Sequence, residues 1–95
     1  MNPWPFSDPP NIAVIANKNF FTGDNWIAYV SHDEDDGGWQ FHGPESHPSE
    51  SDMVLVSLAS IAEHDPNVCA LADLPLGWRA WRDTKESIWQ RAPAS

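Results

Sequence analysis

The chain has almost no means of cross-linking itself. It holds one cysteine in 95 residues, Cys69, which excludes an intramolecular disulfide, and no Cys-x-x-Cys or Cys/His spacing suggests a structural zinc. A chain of this length stands near the lower end of what folds on apolar packing alone. Its core must therefore come from large side chains, and six Trp with four Phe supply them. Cys69 lies in the apolar stretch Val68-Cys69-Ala70-Leu71. There a thiol is expected to be buried and inert rather than nucleophilic, and an unpaired thiol fits a reducing compartment.

Basic residues are scarce and unevenly placed. Residues 1–78 carry twelve acidic side chains and one basic one, Lys18, whereas residues 79–95 carry Arg79, Arg82, Lys85 and Arg91 against two acids. The charge is thus −11 in the first part and +2 in the last, together the −9 of the whole chain. Such a field repels nucleic acid and anionic membrane surfaces and speeds encounter with a basic partner. Solubility alone would also explain it. Long apolar runs are missing as well: no stretch approaches the roughly 20 residues that cross a bilayer. The opening, Met1 to Pro10, has neither a basic start nor an apolar run, so it does not read as a signal peptide. These absences lead to the expectation of a cytoplasmic protein, a monomer or small homo-oligomer, that binds neither nucleic acid nor membrane.

What is present reads as alternating short strands and turns. The proline-rich residues 1–10 predict an extended arm, tacked to the body by Trp4 and Phe6, ahead of a single α+β domain over residues 11–92. Ile12–Ala16 reads as a buried strand, Lys18–Phe21 as its short continuation and Thr22–Asn25 as a turn. Over Trp26–His32 two sets of side chains alternate, and Trp39–His42 restores the alternation after Asp33–Gly38 breaks it. Pairing Val30 with Phe41 and His32 with Trp39 joins the two apolar rows and leaves Glu34–Gly37 as a four-residue loop with glycine free to take positive φ. Gly43–Asp52 is a polar loop without pattern. Met53–Val56 predicts a strand, and Ser57 a cap for a helix through His64. One helix from Asp52 to His64 is the rival reading, disfavoured by the β-branched pair Val54 and Val56. Asp65-Pro66 opens a second helix, Pro66–Asp73. Gly77–Arg82 and Ser87–Arg91 suggest a closing hairpin. The fold expected is α+β: a small, hairpin-rich antiparallel sheet of four to six strands packed by one or two short helices. Its core comprises Trp26, Ala28, Val30, Trp39, Phe41, Leu58, Ile61 and Trp89.

Catalytic patterns are wanting. The acidic run Asp33–Asp36 beside His32 invites a metal, but a calcium loop needs ligands at alternate positions with a glutamate at its far end, and none falls there. Four consecutive carboxylates at a hairpin tip are more often just a solvated turn. His32, His42, His47 and His64 are scattered, and no helix would join His42 to His47. There is no Gly-x-Ser-x-Gly turn and no glycine-rich phosphate loop. Gly77-Trp78-Arg79-Ala80-Trp81-Arg82 resembles a small nucleic-acid platform. Its alternative is core tryptophans with arginines stacked over them or paired to the acidic body. No catalytic residue, cofactor site or metal ligand is assigned. The residues assigned to partner binding are Asp33, Glu34, Asp35 and Asp36.

Three segments together resemble a known family. Asp36-Gly37-Gly38-Trp39-Gln40-Phe41 followed by Gly43 is similar to an Asp-Ser-Gly-Trp-Arg-Phe…Gly motif. Asp65-Pro66-Asn67-Val68 followed by Leu74-Pro75-Leu76-Gly77 is similar to an Asp-Pro…Pro-x-Gly segment. Trp89-Gln90-Arg91 is similar to an aromatic-Glu-Arg ending. These occur in this order in a bacterial domain family first described as of unknown function and later catalogued among the immunity proteins of polymorphic toxin systems (the immunity protein 33 type). The likeness spans residues 12–91. Gln40 stands where the motif has arginine, and Arg79–Lys85 is inserted before the ending, departures that fit a sister branch. The resemblance implies an α+β fold and toxin binding, and it carries over no catalytic residue. The function expected is therefore a non-catalytic protein-binding module, an immunity protein neutralising a basic toxin domain. The alternatives are a metal-dependent hydrolase using the His/Asp cluster and an accessory protein with a household partner.

Overall fold

The hairpin of residues 29–42 forms because its two apolar rows coincide. A computed structural model describes residues 4–45 and 50–94, and in it β2 (Tyr29–His32) pairs antiparallel with β3 (Trp39–His42), Val30 opposite Phe41 and His32 opposite Trp39. The loop closes where the Asp33 N–H donates to the Gly38 carbonyl at 2.7 Å and the Gly37 N–H to the Asp33 carbonyl at 2.9 Å. Gly37 has φ +72°, a conformation that costs a residue with a Cβ about 1–2 kcal/mol. The strand is shorter at its start than the alternation predicts. Residues 25–28 are irregular, although the Ala28 N–H still donates to the His42 carbonyl at 2.9 Å.

Four further strands complete one sheet. They are β1 (Ala13–Asn17), β4 (Met53–Ser57), β5 (Trp78–Trp81) and β6 (Gln90–Pro93), and the order across the sheet is β4-β1-β3-β2-β5-β6. The architecture is thus α+β. Four of the neighbouring pairs are antiparallel, but β1 and β3 run parallel, Ile15 beside Gln40. The chain leaves β1 by a connection that carries it past the β3 position, so the hairpin docks with β3 innermost. That arrangement sets Trp39 and Phe41 beside Val14 and Ala16 rather than leaving them at an edge. Lys18–Phe20 does not continue β1: the Asn17 side chain accepts the Asn19 N–H at 2.8 Å and starts a 3₁₀ turn that drops Phe20 into the core.

The helical layer covers one face only. Ser57 caps α1 (Leu58–His64), its hydroxyl accepting the Ser60 N–H at 3.1 Å, while Val54 and Val56 stay in the strand. Asp65 caps the next segment as expected, but that segment is a 3₁₀ helix over Pro66–Leu71 rather than an α-helix to Asp73. Its N–H groups reach back three residues, as Ala72 does to Cys69, and this tight winding rarely runs longer. Leu58, Ile61, Val68 and Leu71 from this layer close over Val14, Ala16, Val30, Phe41 and Ala80. Burying each large side chain contributes about 1.5–3 kcal/mol. The N-terminal arm seals the margin: Phe6 meets Trp39 edge-on at 5.4 Å, and the Trp39 indole N–H donates to the Asp8 carboxylate at 2.8 Å.

Among the expected core residues, Ala28, Val30, Trp39, Phe41, Leu58 and Ile61 are buried, whereas Trp26 and Trp89 are half-buried. Both tryptophans are held by the Arg82 guanidinium, which lies 4.3 Å from the Trp89 ring and 5.9 Å from the Trp26 ring. Irregular backbone at residues 25–28 lets Ile27 take the core position beside Ala28. The same guanidinium explains why β6 starts at Gln90 and not at Ser87. Arg82 donates to the Lys85 carbonyl at 3.0 Å, folding residues 83–89 into a loop before Trp89 can join the ladder.

Candidate functional site: the uncovered sheet face

Strand alternation sends every second side chain away from the helical layer. The registers gather these into two rows. One runs Leu55, Ile15, Gln40, Ser31, Arg79, Ala92, and the other His42, Tyr29, Trp81, Gln90. No helix or 3₁₀ turn that contributes to the core lies on this side among the described residues. Leu55 is 71% exposed and Ile15 36%, and Tyr29, His42 and Trp81 are half-buried. A face that is wet yet carries aromatic and aliphatic side chains is the exception on a protein surface.

A hydrogen-bonded line crosses this face. Gln40 donates from Nε2 to the Asp33 carboxylate at 2.7 Å, which leaves its Oε1 to accept from His42 Nε2 at 3.1 Å. An amide oxygen only accepts, so the assigned tautomer of His42 carries its proton on Nε2. Its Nδ1 is then a bare acceptor, buried and without a hydrogen-bond partner among the described residues. Burial pushes the His42 pKa below its ordinary value, against the upward pull of the Asp33 and Glu45 carboxylates.

Beside His42 the face sinks into a hollow of about 540 Å³ whose walls include Trp26, Tyr29, Trp81, Glu45 and Asp83. Glu45 is fixed there: its carboxylate accepts from Asn17 Nδ2 at 3.2 Å and from Asn25 Nδ2 at 3.2 Å. Gly43 permits this crossing, since a Cβ in its place would stand 2.4 Å from Asn25 Nδ2 and 2.5 Å from Glu45 Oε2. Arg82 also lines the hollow yet is only 3% exposed; it donates to the Ile27 carbonyl at 2.9 Å and to the Asp65 carboxylate. Arg79 lies 5.3 Å from the Trp81 ring. The arginines of the Gly77–Arg82 segment are thus stacked on tryptophans.

The acidic run occupies the hairpin tip. Glu34, Asp35 and Asp36 are exposed, while Asp33 is half-buried and engaged by Gln40. Asp36 accepts the Gly38 N–H at 2.8 Å, and Glu34 lies against Gly77, where a Cβ would come within 2.9 Å of its carboxylate. Glu34 and Asp35 make no side-chain hydrogen bond or ion pair among the described residues.

The histidines do not assemble. His32 stacks on Trp39 at 3.9 Å and gives its Nδ1–H to the Leu74 carbonyl at 2.7 Å, on the covered face. His64 sits 5.3 Å from Phe21 at the end of α1, and His47 lies outside the described residues. Among those described, no three His, Cys, Asp or Glu side chains gather as a metal ion would require. No helix among them is long and apolar enough to cross a membrane. Cys69 is unpaired, its thiol pKa raised by burial and then by the Asp65 carboxylate.

The sequence reading passed over the row of His42, Tyr29 and Trp81. Its signal lay in the same alternation that identified the hairpin: a register placing Val30 and Phe41 inside places Tyr29 and His42 outside. Glu45, in a loop without pattern, carried no signal. No protein-family model, curated protein or solved structure matches the chain.

Proposed function

We propose that this protein is a non-catalytic binding module for a basic protein, which the family resemblance would make a toxin domain, and that the partner docks on the uncovered sheet face. The observation that carries this reading is the one-sided sheet. Leu55 and Ile15 stand exposed on it and Tyr29 and Trp81 half-buried, with Asp33 and the tip at one end, Glu45 and Asp83 at the other, and a chain charge of −9 behind them. A face that carries aliphatic and aromatic side chains between two groups of carboxylates suits an interface that recognises positive charge.

The test pairs the protein with the product of the neighbouring gene in its genome and measures association kinetics. With a basic toxin as partner, association should slow several-fold as salt rises from about 50 to 300 mM. Asp35→Lys should slow it further, and Glu63→Lys, the same charge change on α1, should not. Leu55→Ser should raise the dissociation rate about tenfold or more, the loss of a buried leucine, without lowering Tm. A partner bound without salt dependence, or indifferent to Leu55, would remove this reading. A partner with a housekeeping role, bound by the same face, would replace immunity with an accessory function.

A further inference from the structure

We infer that the hollow beside His42 receives an arginine side chain of the basic partner. The inference rests on the protein-binding reading above and deepens it by naming what the site takes. Three features of the hollow converge on a planar cation. Its walls include the rings of Trp26, Tyr29 and Trp81, and a guanidinium is attracted to such faces by their quadrupoles. Its rim holds two carboxylates, Glu45 and Asp83, and neither pairs with a lysine or arginine among the described residues, where the ion pairs are Lys18–Asp52, Arg82–Asp65 and Arg91–Asp73. Glu45 is moreover oriented: Asn17, which is 2% exposed, and Asn25 both donate to it. Two amides fix a carboxylate in place without neutralising it. The third feature is His42, whose ring lines the hollow; its Nδ1 acceptor has no partner among the described residues and is shielded from solvent.

Arginine fits better than lysine because a guanidinium stacks flat on a ring and forks to a carboxylate at once, whereas an ammonium is a compact, strongly hydrated charge. The chain already uses that chemistry at the margin of the hollow, where Arg82 lies near the rings of Trp26 and Trp89 and reaches Asp65. Of the chain's own arginines, Arg79 lies over Trp81 but does not line the hollow, and Arg82, which does line it, already has its guanidinium engaged by the Ile27 and Lys85 carbonyls and the Asp65 carboxylate.

The experiment titrates the intact protein with Nα-acetyl-arginine methylamide and follows the indole N–H of Trp81 and the ring of His42 by NMR. The expected result is saturable binding in the millimolar range, absent with the neutral citrulline analogue and weaker with the lysine analogue. Trp81→Leu should weaken it about three- to thirtyfold, the range of a cation–π contact. Glu45→Gln should weaken it about three- to tenfold, and Ile88→Ser, on a distant and 86% exposed side chain, should not change it. Melting temperatures of the variants separate loss of the site from loss of the fold, and Glu45→Gln keeps the acceptor for Asn17 should Trp81→Leu unfold. Equal binding of citrulline, tighter binding of lysine, or shifts that map elsewhere would overturn the assignment. Partner binding that stays salt-dependent while Glu45→Gln leaves its affinity unchanged would overturn the hollow and leave the protein-binding reading standing. Blocked arginine that binds here but is not displaced by the partner would overturn the partner as its source.

Discussion

Replacing Arg82 with lysine keeps the charge and removes the geometry, which makes it the sharpest probe of what holds the two halves of this fold together. The guanidinium is fully buried and makes three directed hydrogen bonds: to the Ile27 carbonyl, the Lys85 carbonyl and the Asp65 carboxylate. Those partners belong to the segment before β2, the loop before β6 and the cap of the 3₁₀ helix, so one side chain ties three regions that share no ladder. Lysine can reach one acceptor well and loses the flat contact with Trp89. The buried Ile27 carbonyl left unpaired costs about 1–3 kcal/mol, the lost bond to the part-buried Lys85 carbonyl about 0.5–1.5 kcal/mol, and the aromatic contact adds about 0.5–2 kcal/mol. A loss of about 3–5 kcal/mol is expected, comparable with breaking a buried ion pair. At 4–8 °C per kcal/mol for a domain of this size, Tm should fall by roughly 12–40 °C. Urea denaturation followed by tryptophan fluorescence measures it, and Asp65→Asn completes a double-mutant cycle with a coupling expected in the range of 1–3 kcal/mol. A cost below about 1 kcal/mol for Arg82→Lys, with coupling near zero, would refute the reasoning and make the guanidinium a passenger on the tryptophans.

The histidine on the uncovered face makes stability depend on pH. His42 has a folded pKa below its ordinary 6.5, so between the two values the unfolded chain binds more protons; stability is full above the ordinary value and is lost as pH falls toward the folded one. The urea midpoint should therefore drop between about pH 7 and pH 5, less steeply in His42→Asn, and an unchanged slope in that variant would contradict the burial of Nδ1. Cys69, with its thiol pKa raised by burial first and by Asp65 second, should alkylate more slowly than a free cysteine at about pH 8 and reach the free rate in urea. Fast labelling of the native protein would place the thiol in open solvent.

Local chemistry made most of the strands legible. The hairpin could be read because its information is contained within residues 29–42: a period of two, a break with glycine at the turn, and a single register that puts Trp39 and Phe41 on the side of Val30. The cap at Ser57 was legible for the same reason, since a hydroxyl needs only its own N–H three residues on. The parallel neighbouring of β1 and β3 was not, because both edges of the hairpin present backbone groups to any strand. The choice depends on which edge lets Phe41 meet Val14, a contact between segments 27 residues apart in numbering. The 3₁₀ winding of Pro66–Leu71 was hidden likewise, for Asp65 and Pro66 start either kind of helix.

Trp26 shows where local reading meets its limit. Alternation assigned it to the core with Ala28 and Val30, and a tryptophan at such a position ordinarily belongs there. Its place is instead decided by Arg82, which lies 56 residues away in sequence and whose charge is buried only because Asp65 and two tryptophans surround it. Drawing Trp26 toward that guanidinium leaves the core position to Ile27, and it makes the same indole a wall of the hollow on the uncovered face. The residue therefore joins the fold to the candidate site: an internal cation positions a ring that can then meet an external one. This arrangement requires a long-range ion pair before it has any meaning, so no pattern in residues 26–32 could have announced it. The outward row of Tyr29 and His42 was announced, by the alternation itself. What the alternation could not say was that Trp81 and Glu45 would arrive beside them, one from across β2 and the other held by Asn17 and Asn25.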